Sequence, residues 1–310
     1  MLTFIDDAIF PQFRKMTIDD LVAYDKYYSH SLAPCCDTAP ANLYAWSDLN
    51  GTLEASKFHD GILVRFNNVF RNNMLHFIVL SKHVRTDHLH ELFNYQKDHG
   101  LEVGLFNQPT RACKEIVDDP SFAIENDRDE YEYILSTLQH STMPGKEFSR
   151  QRRRMGYFHR EHTEDDITIR HIDTLDNNSR DELIKASQNW SPTAGEMSDD
   201  NRERESLRLC FNTHNEFQRK ILCVYINGAL AGFGVYRIYG DTAIVGYIKV
   251  DYGVQYMFDF VTHALAEHLS NHNVPYINFE QDLGIPGLRD HKMRLRPIRF
   301  IEKINITPAD

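Results

Sequence analysis

The sequence predicts an α+β protein made of two domains, each with a mixed, largely antiparallel sheet flanked by helices. Segments with helical spacing and segments with strand-like alternation come in blocks, unlike the strict alternation of a βαβ array. The 310 residues are enough for two domains of ordinary size. We expect an N-terminal domain over residues 1–160 that ends in a basic helix, and a C-terminal domain over residues 161–310.

The composition excludes some classes of function. With 42% hydrophobic and 25% charged residues, the chain has the composition of a soluble globular protein. A net charge of −11 is not typical of a general nucleic-acid-coating protein, although a local basic patch stays compatible with it. No apolar run approaches the roughly 18 residues that a membrane-spanning helix needs. We expect a cytoplasmic protein, with peripheral attachment to a membrane as an open alternative.

The N-terminal half predicts a helix, a strand meander and a second helix. Thr17 and Asp20 fit a capping pattern at the start of the first helix. Asp60-Gly61 is a typical hairpin turn. Thr86 begins the second helix, and Gly100 ends it. The expected strands are residues 43–46, 52–58, 62–66, 74–80, 101–106 and 129–136.

The residue types that bind metals do not form a recognisable site in the sequence. The five cysteines include no C-x-x-C pair, so we interpret them as reduced thiols. His88 and His90 lie on the predicted second helix, where side chains two positions apart diverge. We therefore interpret them as solvated histidines and expect no metal site.

A basic segment follows Pro144-Gly145. Residues 146–160 contain six cations and one acid. On a helix, one face collects Lys146, Arg150, Arg153, Arg154 and Tyr157. Two interpretations stay open for this face: a solvated helix surface, or a binding surface for the phosphate of a nucleotide, a tRNA end or a lipid head group.

Arg152 falls on the other side of this predicted helix. It shares that side with Phe148 and Met155, which we expect to be buried. A buried guanidinium needs a carboxylate or an anionic ligand. We therefore interpret Arg152 as part of an anion-binding site.

The predicted elements of the C-terminal half are a strand at 167–172, helices at 181–190 and 202–211 around a polar loop at 191–200, strands at 221–226, 229–239 and 242–250, a helix at 254–270 and a strand at Tyr276. This order of elements resembles that of a GNAT acyltransferase fold. In that fold, the acyl donor binds where strand 242–250 meets the next helix, because a helix N-terminus favours a pyrophosphate.

The loop at this position differs from the usual pyrophosphate-binding pattern. Residues 251–256 contain one glycine, Gly253, and begin with Asp251, which would repel a pyrophosphate. This disfavours ordinary acyl-CoA chemistry. Tyr252 of the same loop is a candidate substrate-binding residue.

The stretch from Tyr276 to Pro297 carries the densest set of chemically active residues. Glu280 and Asp282 would share one side if the strand continued through them. Arg289 and Lys292 share a face if the following turn leads into a helix. From the spacing alone, a salt-bridged connector and a small-molecule site stay equally open.

Two stretches of the chain resemble the phosphatidylglycerol lysyltransferase C-terminal-domain family. The first, from Gly145-Lys146 through Arg152 to Phe158, is similar to a G-K-K…K-R-N…N-x-F run. The second matches an N-x-E-x-D-L-G-x-x-G-L-R-x-x-K…P run from Asn278 to Pro297. Arg153 and Gly156 depart from the first run, in which asparagines are usual. The order of elements agrees over roughly residues 15–300.

The resemblance implies tandem GNAT-like domains and transfer of an aminoacyl group from a charged tRNA to an amine or hydroxyl acceptor. The donor would be aminoacyl-tRNA in preference to acetyl-CoA, with no cofactor, and an anionic lipid head group is a further candidate partner. Under this hypothesis Asp282 or Glu280 takes the proton or holds the donor's ammonium, and Arg289 and Lys292 stabilise the oxyanion or bind phosphate. Substrate contacts would come from Lys146, Arg150, Arg152, Arg153, Arg154, Asn278 and Tyr252. An acyl-CoA-dependent N-acyltransferase and a non-catalytic protein that binds an anionic ligand are the alternatives.

Overall fold

The computed structural model describes residues 5–31, 35–47, 52–68, 74–190 and 200–309. Of the polar loop expected at 191–200, residues 191–199 lie outside the described residues, and residue 200 begins a helix. Among the helices described, none is both long enough and apolar enough to cross a lipid bilayer.

The described residues of the first part of the chain form short strands and three helices. In order, these elements are β1 (Arg14–Lys15), α1 (Ile18–Ser31), α2 (Pro40–Asn42), β2 (Glu54–Phe58), β3 (Gly61–Asn68), β4 (Met74–Leu80), α3 (Thr86–Asp98), β5 (Leu105–Pro109), β6 (Phe122–Asn126) and β7 (Glu132–Ser136).

The second part contains longer helices and the longest strands. Its elements are α4 (Thr137–Thr142), α5 (Ser149–Glu161), β8 (Ile167–Ile172), α6 (Asn177–Asn189), α7 (Asp200–Asn212), β9 (Lys220–Ile226), β10 (Ala229–Tyr239), β11 (Thr242–Val250), α8 (Met257–Asn271), β12 (Tyr276–Asn278), α9 (Pro286–Arg294), β13 (Arg299–Ile301) and β14 (Lys303–Pro308).

The chain divides into two compact units that are not contiguous in sequence. Unit 1 contains residues 1–133, 280–295 and 299–310, and unit 2 contains residues 134–279 and 296–298. The expected boundary between residues 160 and 161 therefore lies inside unit 2. The physical reason is that α5 packs on α8, where the rings of Phe158 and Phe260 stack with centroids 4.3 Å apart.

The described residues of unit 1 form two antiparallel sheets. One has the strand order β1-β2-β3-β4 and the other has the order β5-β14-β6. Helix α3 contributes Leu89, Leu92 and Phe93 to a core that also contains Phe77 and Ile304. These three helix residues recur at i, i+3 and i+4, which is the spacing that places apolar side chains on one face.

In unit 2, neighbouring strands follow the order β7-β12-β11-β10-β9-β8. The pairs are antiparallel apart from β11 and β12, which run parallel and are paired only through Thr242–Ile244 and Tyr276–Asn278. Beyond this short pairing β11 has no ladder to β12. Helix α8 covers the sheet with the buried residues Val261 and Leu265.

Several predicted elements are confirmed and others are corrected. Strands 74–80, 167–172, 229–239 and 242–250 have the predicted bounds. The predicted strand at 43–46 is wrong, since Pro40 begins a helical turn that continues as a π-helical segment, Leu43–Ser47. The hairpin turn consists of His59 and Asp60, because Gly61 already pairs with Phe58 in the β2–β3 ladder.

Candidate functional site

Asp282 is a fully buried carboxylate, and each of its oxygens accepts more than one hydrogen bond. Arg289 donates from Nε to Oδ2 at 2.9 Å and from Nη2 to Oδ1 at 2.8 Å. The Tyr133 hydroxyl and Arg128 also donate to Oδ2, and the Gly284 N–H donates to Oδ1. Burial alone would raise the pKa of Asp282, but these hydrogen bonds outweigh it and lower the pKa to about 2.

The backbone after β12 turns sharply, so Glu280 and Asp282 do not lie on a continuing strand. Strand β12 ends at Asn278, and Glu280, Leu283 and Gly284 have positive φ angles of 57°, 54° and 71°. A Cβ at position 284 would lie 2.6 Å from Asp129 Oδ2, so only glycine fits there. The expectation that the two carboxylates share one side of a strand is therefore wrong.

Glu280 has a different environment from Asp282. Its carboxylate is half-buried and accepts a hydrogen bond from Asn42 Nδ2 at 2.6 Å. Burial raises the pKa of Glu280 to about 7, against the opposing effects of Lys292 and Asn42. A carboxyl with such a pKa exchanges protons near neutral pH, as a general base must.

Lys292 lies on α9, one turn after Arg289, and it is buried. Its ammonium donates to the backbone carbonyl of Gln281. Burial lowers the pKa of Lys292, while the charge of Glu280 works in the opposite direction. Lys292 therefore places positive charge beside Glu280, whereas the charge of Arg289 is paired with Asp282 and Asp129.

A second group of charged residues lies near Glu280 and surrounds Lys303. Lys303 and Glu132 are both fully buried, and the ammonium lies 2.7 Å from the Glu132 carboxylate and also contacts Asp37. Burial alone would lower the pKa of Lys303, but the two carboxylates raise it well above its usual value. The charge of Lys303 is thus compensated within the cluster by Glu132 and Asp37.

This cluster is joined to the Glu280 segment through Gln281. The Gln281 amide donates to Asp37 Oδ1 at 2.6 Å and accepts from Cys36 Sγ at 3.2 Å. The backbone N–H of Cys36 donates to Glu132. Cys35, Asp37 and Glu132 could geometrically ligate a metal ion, but the Lys303 ammonium already occupies the position between the two carboxylates.

The basic residues predicted from the sequence lie in unit 2, on α5 and the turn before it. Lys146, Arg150 and Arg153 are exposed. Arg154 pairs with Asp259 of α8 through Nη1, at 3.0 Å and 3.1 Å from the two carboxylate oxygens. The exposed face of this helix therefore carries fewer uncompensated cations than the sequence indicated.

The burial predicted for Arg152 is wrong. Its side chain is exposed and turns back to the segment that precedes the helix. There Nη1 donates to the carbonyl oxygens of Met143 and Gly145, at 2.7 Å for Gly145. Both residues have positive φ angles, 46° and 66°, which turn their carbonyls outward as acceptors. Backbone carbonyls thus supply the partners that we expected from a ligand.

The remaining predicted residues lie elsewhere in unit 2. Asn278 is fully buried in β12, whereas Tyr252 is 69% exposed in the loop after β11. In the same loop, the N–H of Gly253 donates to Asp251 Oδ1 at 2.8 Å. An N–H that a pyrophosphate would use is therefore already bonded to a carboxylate.

Sequence reasoning missed most of the partners of the Glu280 segment. The missed residues are Asp37, Asn42, Arg128, Asp129, Glu132, Tyr133, Gln281 and Lys303. The sequence contained no signal for these partners. Glu132 alternates with Tyr131 and Tyr133 in the predicted strand 129–136, and Lys303 alternates with Ile304, as solvent-facing residues would.

The fold has clear relatives among solved structures. A conserved protein of unknown function from Bacteroides thetaiotaomicron superimposes with a TM-score of 0.81 at 18% identity, covering 96% of this chain and 99% of that one. The C-terminal domain of a putative lysylphosphatidylglycerol synthetase from Agrobacterium fabrum gives 0.65 at 9% identity, covering 94% and 92%. L-PGS from Bacillus licheniformis gives 0.61 at 13% identity, covering 94% and 91%. No curated protein matches the sequence.

The mixed helix-and-sheet architecture, with largely antiparallel sheets, is confirmed as α+β, and the fold is the one seen in L-PGS and in the synthetase C-terminal domain. The family described as phosphatidylglycerol lysyltransferase, C-terminal, matches residues 36–306. The chain belongs to this family. It is therefore a transferase of the aminoacyltransferase type.

Proposed function

We propose that the protein transfers an aminoacyl group from aminoacyl-tRNA to an amine or hydroxyl acceptor. The observation that carries this proposal is the environment of Glu280, which holds a half-buried carboxyl at a pKa of about 7 beside Lys292. An aminoacyl ester is already activated, so its transfer needs an acceptor group that loses a proton and a cation near the developing oxyanion. Family membership supports the same reaction class.

In the proposed reaction, the acceptor nitrogen or oxygen attacks the carbonyl carbon of the aminoacyl ester. Glu280 takes the proton of the acceptor as the new amide or ester bond forms. The tetrahedral oxyanion is stabilised by the Lys292 ammonium. The ester bond to the ribose oxygen then breaks, and that oxygen receives the proton from Glu280.

Asp282 and Arg289 have a positioning role in this proposal, unlike the catalytic roles first assigned to them. An aspartate with a pKa of about 2 that already accepts several hydrogen bonds is a poor general base near neutral pH. Its pairing with Arg289 fixes the turn at Gly284 and therefore the direction of Glu280. Lys146, Arg150, Arg152, Arg153, Arg154, Asn278 and Tyr252 stay candidate substrate contacts.

The acceptor in this proposal is a phosphatidylglycerol-type lipid or a small molecule with an amine or hydroxyl group. An acyl-CoA donor is the second candidate, and the bond between Asp251 and the Gly253 N–H argues against it. A non-catalytic protein that binds an anionic ligand is the third. Stabilisation of the folded chain by acetyl-CoA but not by an aminoacyl-adenosine analogue would favour the second candidate.

The experiment is incubation of the purified chain with a pool of labelled aminoacyl-tRNAs and a cell extract. We expect loss of label from one tRNA species together with a labelled product. The variant Glu280→Gln should abolish the product, and Glu125→Gln, an exposed glutamate of unit 1, is the matched control. Equal amounts of product from Glu280→Gln and wild type would overturn the role of Glu280 as proton acceptor. If no tRNA species loses its label, the proposal that aminoacyl-tRNA is the donor is overturned.

A further inference from the structure

A group of histidines and carboxylates in unit 1 lies apart from the residues used above. The turn between β2 and β3 provides His59 and Asp60, and the start of α3 provides Asp87 and His88. Ligand atoms of His59, Asp87 and His88 lie within 4.8 Å of one another. The spacing of these residues does not predict the grouping, because two strands separate the turn from the helix.

His88 is buried without using its polar atoms. Its side chain is 1% exposed, and neither ring nitrogen has a hydrogen-bond partner among the described residues. Phe58 contacts the ring edge to face at 5.6 Å, and His59 stacks on it with centroids 4.2 Å apart. Buried polar atoms without a partner are rare in folded proteins and call for an explanation.

The Nε2 atom of His88 faces acidic oxygens. Asp60 Oδ1 and Asp87 Oδ1 each lie 3.9 Å from it, which is too far for a hydrogen bond. The carboxylates of Asp60 and Asp87 are exposed, so their side chains are free to adjust. Bonds of about 2.0–2.2 Å from a metal ion to nitrogen and oxygen would span such a separation.

Two further charged residues lie next to the cluster, the acidic Glu91 and the basic Arg85. Glu91, one turn along α3, accepts from His59 Nε2 at 2.7 Å, which orients the His59 ring. Arg85 contacts Asp87 at 3.2 Å and adds a positive charge nearby. The guanidinium is bound at an exposed position, so a metal ion that binds Asp87 competes with a weak surface ion pair.

We propose that His59, Asp60, Asp87 and His88 form a binding site for one divalent transition-metal ion of the zinc type. Imidazole nitrogen and carboxylate oxygen together suit Zn²⁺ and its neighbours in the first transition row. The ion would supply the missing partner of His88. By joining the β2–β3 turn to α3, it would stabilise the folded chain over the unfolded one.

The test is Zn²⁺ binding by the chelator-treated full chain. Calorimetry measures the affinity and the stoichiometry, and thermal unfolding measures the shift in melting temperature. The variants are His59→Asn, which suits the positive φ of 51° at that position, and Asp87→Asn. Both residues are exposed, so folding should survive, whereas His88→Gln replaces a buried ring. His90→Gln, an exposed histidine of the same helix, is the matched control. Co²⁺ absorption reports directly on nitrogen and oxygen ligation.

We expect the wild type and His90→Gln to bind one equivalent that raises the melting temperature. His59→Asn and Asp87→Asn should each weaken that binding by more than about tenfold and lose the shift. Unchanged binding and an unchanged shift in both variants would mean that the ion binds elsewhere, and would overturn the proposal. Failure of the wild type to bind any Zn²⁺ saturably would overturn it as well.

Discussion

Arg289 holds Asp282 with two hydrogen bonds, at 2.9 Å from Nε to Oδ2 and at 2.8 Å from Nη2 to Oδ1. Glu280, two residues earlier, receives a hydrogen bond from the neutral amide of Asn42, and the effect of burial dominates at its carboxyl. The two carboxyls consequently have opposite pKa shifts, to about 2 for Asp282 and to about 7 for Glu280. Such a separation of pKa values assigns a fixed charge to one group and proton transfer to the other.

The variant Glu280→Gln should lower the rate of aminoacyl transfer by about 10²- to 10⁴-fold, the usual contribution of a general base. Glutamine keeps an oxygen for Asn42 Nδ2, so the fold should be retained. The measurement is the single-turnover rate with wild type, Glu280→Gln and Glu125→Gln. A loss of affinity for the donor at an unchanged rate would show that Glu280 binds substrate and does not accept a proton.

The variant Asp282→Asn should lower the free energy of unfolding by about 1–3 kcal/mol, because the amide nitrogen cannot accept the hydrogen bonds of one buried carboxylate oxygen, while Arg289 keeps its pair with Asp129. Because the folded state depresses the pKa of Asp282, its stabilisation is present above pH 3.8 and is lost as the pH falls towards about 2. Urea unfolding measures both effects. Asp290→Asn, at an exposed aspartate of α9, should change the stability by less than about 1 kcal/mol.

The variant Lys303→Met should destabilise the chain by about 3–5 kcal/mol, since it leaves Glu132 buried without a counter-ion. Adding Glu132→Gln should restore part of that loss, because an amide is less costly to bury than a carboxylate. Urea unfolding of the two single variants and the double variant gives the coupling energy. If the losses of the two single variants add up to the loss of the double variant, Lys303 and Glu132 are not energetically coupled.

Neutralising Arg150 or Arg153 should weaken binding of anionic vesicles or tRNA more than neutralising Arg154. The reason is that Asp259 already compensates Arg154, whereas Arg150 and Arg153 are exposed. The measurement is the slope of log affinity against log salt concentration, which should fall by about one for each phosphate contact removed. Equal slopes for wild type and all three variants would exclude this helix as the anion-binding surface.

Local patterns predicted much of the fold. The alternation in β10 and β11, the Asn227-Gly228 turn and the Thr17–Asp20 cap depend on neighbouring residues, and the structure contains all of them. The helical segment at 43–47 was missed because its apolar residues are compatible with either a short helix or a strand. Strand β14 was missed as well, although it joins β5 to β6.

The candidate site was predictable only in part. The motif identified Glu280, Asp282, Arg289 and Lys292, but not which carboxylate keeps its proton. That depends on Tyr133 and Asn42, which are more than a hundred residues away in sequence and reach the site only through the fold. Arg152 shows the opposite error, since helical periodicity does not include the backbone carbonyls of a preceding turn.

The role of Glu280 as proton acceptor is tested most directly by titrating its side chain. The chain carries ¹³C-labelled glutamate carboxyls, and NMR records their chemical shifts as the pH changes. Glu280→Gln assigns the signal, and Glu125 provides an exposed reference. We predict a midpoint of about 7 for Glu280. A midpoint near 4.5, the ordinary value for glutamate, would contradict the assignment of Glu280 as the proton acceptor.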